Sequence, residues 1–362
     1  LTAPRFSVAR LTRVLLLLLA LLLLSLVLGV AVGERPLSLG RALTDPDSVD
    51  RGILLGLRLP RALLGALVGA ALSVAGAALQ SLLQNPLADP FVLGVSGGAA
   101  LGGTCAIALG LDRLGSLLAP LDATLPAVLS ASLRGLSDFS PVAIAAFAGA
   151  LLATAVVFAA GRVNGRLSPY GALLAGVIFN AFAAAAITCL KLFAAPERLG
   201  ALLYWLAGAL RYYDGGTLLG LLLLVALSTG LLVRDAHALN LLALGDDAAL
   251  SLGVEVGRVR RRLFIAASLA VAGAVALSGL IGFVGLLVPH VLKLWLGPDQ
   301  RLLLPASALG GAVFLVVADT AVRLLFPLLG GEAPVGVFTA LLGGPVFLWL
   351  LRDRGALAHT SA

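Results

Sequence analysis

RLPRALLGALVGAALSVAGAALQSLLQNPLADPFVLGVSGGAALGG, residues 58–103, decides the fold. Two arginines flank a proline, roughly twenty apolar residues follow, the run breaks at Asn85-Pro86, and a glycine-rich apolar segment resumes. A helix in lipid must satisfy its own backbone, so this pattern predicts one membrane crossing, a reversal at an interface, and the start of the next crossing. Pro cannot continue a helix and Asn and Asp cap one, so Asn85, Pro86, Asp89 and Pro90 predict a loop of fixed shape.

The rest of the chain agrees. It has 362 residues, 60% hydrophobic and 12% charged, with a mean hydropathy of +1.08. Soluble domains carry about 25% charged residues, so a water-soluble globule is excluded. No alternating strand pattern suggests an outer-membrane barrel. The fold class is an all-α polytopic membrane protein in a single permease-like domain, 1–362. Spans are expected after Arg13 to Val32, then Ala62–Leu83, Phe91–Gly110, Pro141–Ala160, Gly171–Leu192, Thr217–Val233, Leu263–Ile281, Gly282–Leu296, Leu302–Phe326 and Pro334–Leu351. Ten spans put both termini in the cytoplasm. Segments 33–57, 111–140 and 195–216 then fall outside, the last as an interfacial helix with Tyr204, Trp205, Tyr212 and Tyr213. Residues 234–262 form the longest cytoplasmic loop. On this layout 14 of the 25 basic residues and 7 of the 18 acidic ones lie inside, so the whole surplus of +7 is cytoplasmic. Val74-Ala75-Gly76-Ala77 recurs as Val271-Ala272-Gly273-Ala274, five spans later, which predicts an inverted internal repeat.

RLPR, GAALxxxGxxxQ and NPLADPxxLGxSxGA together resemble the permease subunit of ABC importers for cobalamin, ferric siderophores and haem, the type II importers. The resemblance covers nearly the whole chain. It implies a homodimer of permeases in the bacterial inner membrane, two ATPase subunits and a periplasmic substrate-binding protein, with no nucleic acid. ATP and Mg would belong to the ATPase and no cofactor to this chain, which has no GxxxxGK[ST] motif.

Four groups of residues carry the functional reading. Arg58 and Arg61, three apart beside Pro60, and Arg323, with Asp319 four residues before it, are either interfacial anchors or a docking surface for carboxylates. The resemblance favours docking of the binding protein. Leu244, Gly245, Asp246, Asp247, Ala249, Leu250 and Gly253 describe a short helix bracketed by glycines, with acids at its positive end and an apolar face. The resemblance makes it the coupling helix that enters the ATPase. Leu167, Ser168, Pro169 and Tyr170 form a basic turn that the resemblance implies is a cytoplasmic gate, although Pro and Tyr replace small polar residues there. Gly94, Gly97, Gly98, Gly102 and Gly103 suit close helix packing.

Gly285-Leu286-Leu287-Val288-Pro289-His290 reads as a proline kink with an interfacial histidine. Cys105 and Cys189 read as small buried hydrophobes, and the three histidines form no metal constellation.

The expected function is import of an iron chelate, haem or ferric siderophore, with Tyr212 and Tyr213 favouring haem. A cobalamin permease is the alternative within the family. An ion-coupled secondary transporter would need mid-membrane carboxylates, of which Asp319 is the best candidate, and an intramembrane enzyme would need paired catalytic groups, which are lacking.

Overall fold

The computed structural model describes residues 7–33, 37–111, 140–163, 166–329 and 333–359. The predicted excursion over 111–140 falls, apart from its two ends, outside them.

The first helix, α1 (Val8–Ala31), opens where the Ser7 hydroxyl accepts from the Arg10 N–H. Within residues 33–57, expected as an external segment of mixed charge, residues 39–44 and 49–57 are helical. A short α2 (Leu39–Thr44) precedes α3 (Val49–Leu82), whose first turns extend the second span well before Ala62. One turn of α3, Leu54–Arg58, is wide, with the Leu59 N–H bonded to the Leu54 carbonyl five residues back. Pro60 explains it: the ring has no N–H for the carbonyl four residues earlier and crowds it.

The chain continues as α4 (Val95–Leu109), α5 (Pro141–Ala160), a two-residue antiparallel pair β1 (Arg162–Val163) and β2 (Arg166–Leu167), α6 (Pro169–Phe193) and α7 (Pro196–Leu206). The second half comprises α8 (Gly215–Arg234), the short α9 (Ala236–Leu242) and α10 (Asp246–Ser251), α11 (Val256–Ser278), α12 (Val284–Leu296), α13 (Gln300–Leu329) and α14 (Val335–His359). Among the described residues, α1, α3, α5, α6, α8, α11 and α13 are long and apolar enough to cross a membrane, and α4, α12 and residues 335–348 of α14 are shorter apolar helices. Together they account for the ten expected segments.

The two halves repeat their packing. Helix α3 lies on α11, on α12 and on α13; its counterpart α11 lies on α3, on α4 and on α5. The pairs α4 with α5, α4 with α6 and α5 with α6 recur as α12 with α13, α12 with α14 and α13 with α14. Such a pattern, offset by five segments, is that of the expected inverted repeat. Helices α3 and α11 form the centre, with 78% of their most apolar stretch buried, whereas α1 and α6 are buried over only 11% and 17% and present their leucines outward.

At ~1.5 Å per residue, α4 and α12 reach only about 20 Å, short of the ~30 Å hydrocarbon layer. Each begins after a left-handed residue, Gly94 (φ 82°) and Phe283 (φ 68°). Both starts lie inside the bundle: a Cβ on Gly285 would stand 2.8 Å from the Leu72 carbonyl, mid-way along α3, and 2.9 Å from the Pro90 ring. The reversal after α3 therefore lies only partly at an interface. Pro86 and Leu87 are exposed at the end of the bundle, while Pro90 and Leu93 are buried within it. Irregular backbone at this depth survives because protein groups bond to it, among them Asn180, whose amide donates to the Phe91 carbonyl at 2.7 Å.

Candidate functional site

The residues singled out in the sequence gather at the two ends of the bundle. At one end, Arg58, Arg61 and Arg323 meet around Asp319, which is 2% exposed. The Arg61 Nε and Nη2 donate to the Asp319 Oδ1 at 3.1 and 2.9 Å, and the Arg323 Nε lies 3.1 Å from Oδ2, the expected i,i+4 pair. Arg58 and Arg323 also close the end of α1. A helix leaves its last four carbonyls without partners. Here Gly29 and Val32 accept from Arg323 at 2.7 Å each, and Val30 and Ala31 accept from Arg58 at 3.1 and 3.0 Å. Gly33 has no side chain because a Cβ there would sit 2.6 Å from the Arg58 guanidinium. The arginines are thus drawn in beneath the surface and not extended from it, a difference from the sequence reading caused by these carbonyls. They line the floor of a cavity of about 850 Å³, with Arg211, Tyr204, Tyr212 and Tyr213 on its walls. Among the described residues lining it there are four arginines and no carboxylate, so its potential favours anions.

At the other end, α9 and α10 form a bracket held by three ties. Asp235 accepts from Arg262 at 2.8 and 2.9 Å, and Asp246 pairs with the buried Arg260 at 2.5 Å, both on α11. Asn240 donates to Asp299 at 2.8 Å and accepts from the Gln300 N–H, tying α9 to the start of α13. Arg301 and then Asn240 hold the Asp299 carboxyl down at about 2.

Gly245 (φ 107°) and Gly253 (φ 84°) supply the backbone turns that bracket α10, and Asp246 and Asp247 stand in its first turn as expected. Ala249 does not join the docking face: it is fully buried against the bundle. Leu244, Leu250 and Leu252, 67%, 46% and 60% exposed, make that face instead.

The other expected groups are local structure-formers. The Ser168 hydroxyl accepts from the Gly171 N–H and Pro169 occupies the first turn, so both start α6; Leu167 is buried, and only Tyr170 projects outward. In the loop after α3, the Asn85 Oδ1 accepts from the Leu87 N–H at 2.9 Å and the Asp89 Oδ1 from the Phe91 N–H at 2.8 Å. Burial raises the Asp89 carboxyl to about 6 despite that hydrogen bond. His290 is 3% exposed, edge-on to Phe347, and Cys189 is exposed where a buried position was expected.

Two glutamines were given no role in the sequence reading, although Gln80 closes the GAALxxxGxxxQ motif. Pro289 has no N–H to give the Gly285 carbonyl four residues back, and the Gln80 amide donates there instead, at 3.1 Å. One turn later α3 ends in a Schellman turn, with the Asn85 N–H on the Gln80 carbonyl and the Gln84 N–H on the Ser81 carbonyl. Gln84 takes the left-handed position (φ 50°), where glycine is favoured by about 1 kcal/mol. Its amide donates to the Leu242 carbonyl, the last residue of α9, at 2.6 Å. A glutamine standing where the backbone favours glycine was the available signal.

A sequence profile of the FecCD transport family matches residues 17–353. The cobalamin import system permease protein BtuC of Halobacterium salinarum is 41% identical over 301 residues, 82% of this chain and 73% of that protein. The hemin transport system permease protein HmuU of Yersinia pestis is 40% identical over 347 residues, 94% and 96% of the two chains. A probable iron chelatin transport system permease protein of Helicobacter pylori is 38% identical over 309 residues, 84% and 83%. Among solved structures, a metal-chelate type ABC transporter in an inward-facing conformation superposes with a TM-score of 0.77 at 28% identity, covering 94% of this chain and 99% of that one.

Proposed function

The chain belongs to the FecCD transport family, and from that premise we propose that it is the permease subunit of an importer for an iron chelate, haem or a ferric siderophore. It works as a homodimer with two ATPase subunits and a periplasmic binding protein, and it binds no cofactor itself. The carrying observation is the α9–α10 bracket, which holds an apolar face, Leu244, Leu250 and Leu252, at the end of the bundle opposite the arginines. Such a face, anchored by half-buried ion pairs to α11 and by the Asn240 hydrogen bonds to the start of α13, suits a helix that enters a groove on the ATPase.

At the arginine end the binding protein docks by exchange. Its carboxylates take over guanidinium donors that the α1 carbonyls occupy in the free permease, a stronger pairing because both partners are charged. Tyr170 and its turn guard the path at the ATPase end. Cobalamin is the second reading for the substrate, favoured by the 41% identity to the cobalamin permease of H. salinarum.

Co-expression with the ATPase subunit of the same transport system tests the proposal. The wild-type chain is expected to capture the ATPase. Leu250→Arg, an exposed position whose substitution spares the fold, is expected to lose capture. A wild-type chain that captures no ATPase, or a Leu250→Arg chain that captures it as well, would overturn the assignment.

A further inference from the structure

Gln80 and Gln84 lie one helical turn apart at the end of α3, and each donates its side-chain amide to a main-chain carbonyl of the other half of the molecule. Gln80 reaches Gly285, at the kink that Pro289 opens in α12. Gln84 reaches Leu242. The Leu242 carbonyl also accepts from the N–H of Gly245, the residue that opens α10. The start of α10, the end of α3 and, through Gln80, the kinked start of α12 are therefore joined by three hydrogen bonds across one Schellman turn. Three further features indicate that this link serves something beyond stability. Glycine would suit the backbone of position 84 better, the bracket is already tied to α11 and α13 by Asp235, Asp246 and Asn240, and the Gln84 bond is short.

Resting on the importer reading above, we propose that Gln84 is the strut that carries displacement of α10 to the end of α3, and through Gln80 to the kink in α12. Without it, α10 still docks on the ATPase, but its movement is absorbed in the α9–α10 bracket. Gln84 touches no substrate and acts by positioning.

The test uses the complete complex of permease, ATPase and binding protein in proteoliposomes. Nitroxides at Leu87, in the exposed part of the loop after α3, and at Leu203, exposed on α7, report the movement, with ADP and vanadate trapping the ATPase. Gln84→Gly removes the donor and relieves the left-handed backbone, so it keeps or raises the melting temperature, whereas a purely structural tie would lower it. Gln84→Glu keeps the length but turns the donor into an acceptor. Both variants are expected to retain ATP hydrolysis while uptake of hemin, ferrichrome or cobalamin, whichever the wild type takes up, falls about fivefold per ATP. The vanadate-induced change in the Leu87–Leu203 distance is expected to vanish with it. A Gln84→Gly complex with wild-type uptake per ATP and wild-type distance change would overturn the strut alone. A wild-type complex without ATPase activity would overturn the importer reading, and the strut with it.

Discussion

At the scale of single residues, the bond between Gln80 and Gly285 replaces one that Pro289 deletes, and this makes a closed cycle of substitutions. Gln80→Leu leaves the Gly285 carbonyl buried without a donor and is expected to cost about 1–3 kcal/mol, read as a lower melting temperature in detergent. Pro289→Ala restores a main-chain N–H four residues on, so the double variant is expected to recover most of that loss. Equal melting temperatures for Gln80→Leu and wild type would show that the carbonyl finds another partner.

Asp89 gives a pH dependence. Its carboxyl holds a proton up to about 6 in the folded chain against 3.8 for the ordinary value. The fold therefore favours the neutral form. This contribution is fully present below 3.8, falls away as pH rises through 6, and is absent above it. Asp89→Asn keeps the acceptor for the Phe91 N–H and removes the charge. It is expected to flatten the stability profile between pH 4 and 7 and to add on the order of 1–2 kcal/mol at pH 8. A profile unchanged by the substitution would contradict the burial of this carboxyl.

At the scale of elements, helix pairs meet at glycines. A Cβ on Gly98 of α4 would collide with the Gly149 carbonyl of α5, and a Cβ on Gly149 with that of Gly98; Gly69 of α3 and Gly311 of α13 stand in the same relation. Gly98→Val must force the two backbones apart at a cost of about 2 kcal/mol or more. Gly230, inside α8 with nothing within 4 Å of its would-be Cβ, serves as the control. Gly230→Ala is expected to be neutral or to stabilise by about 0.5–1 kcal/mol, because alanine is the better helix former. Thermal unfolding of the two variants measures both.

These elements also show what could be read in advance. Long apolar runs ended by Pro, Gly or Asp gave most helix positions to within a few residues, because lipid leaves the backbone few alternatives; the starts of α3 at Val49 and α11 at Val256, earlier than the expected Ala62 and Leu263, are the exceptions. The short helices at 39–44 and from Val49 onward were not foreseen, since charges scattered along Arg41, Asp45 and Arg51 give no apolar period to read. The destinations of Arg58 and Arg323 were hidden too. Their partners are main-chain carbonyls of α1, nearly 300 positions away in the case of Arg323, and a carbonyl has no letter of its own in a sequence. Ala249 was placed on the wrong face because six residues hold too few turns to fix a phase.

At the scale of the whole molecule, two ends with different chemistry are joined by a core of α3 and α11. Guanidiniums around a cavity without a carboxylate among its described lining residues form the proposed dock for an acidic partner at one end. Leucines on a pinned bracket form the face proposed to meet the ATPase at the other. At the arginine end, Asp319 is paired with two arginines, so it is poorly suited to the proton or sodium binding that a secondary transporter would ask of it. This agrees with the proposal that work enters from outside the chain.

The most direct measurement is uptake of hemin, ferrichrome or cobalamin into proteoliposomes holding the permease, its ATPase and, outside, its binding protein. Uptake of one of the three that requires ATP inside the vesicle and stops when Arg58 and Arg61 are both replaced by Glu is the predicted result. Uptake driven by a proton or sodium gradient with no ATPase present would contradict it.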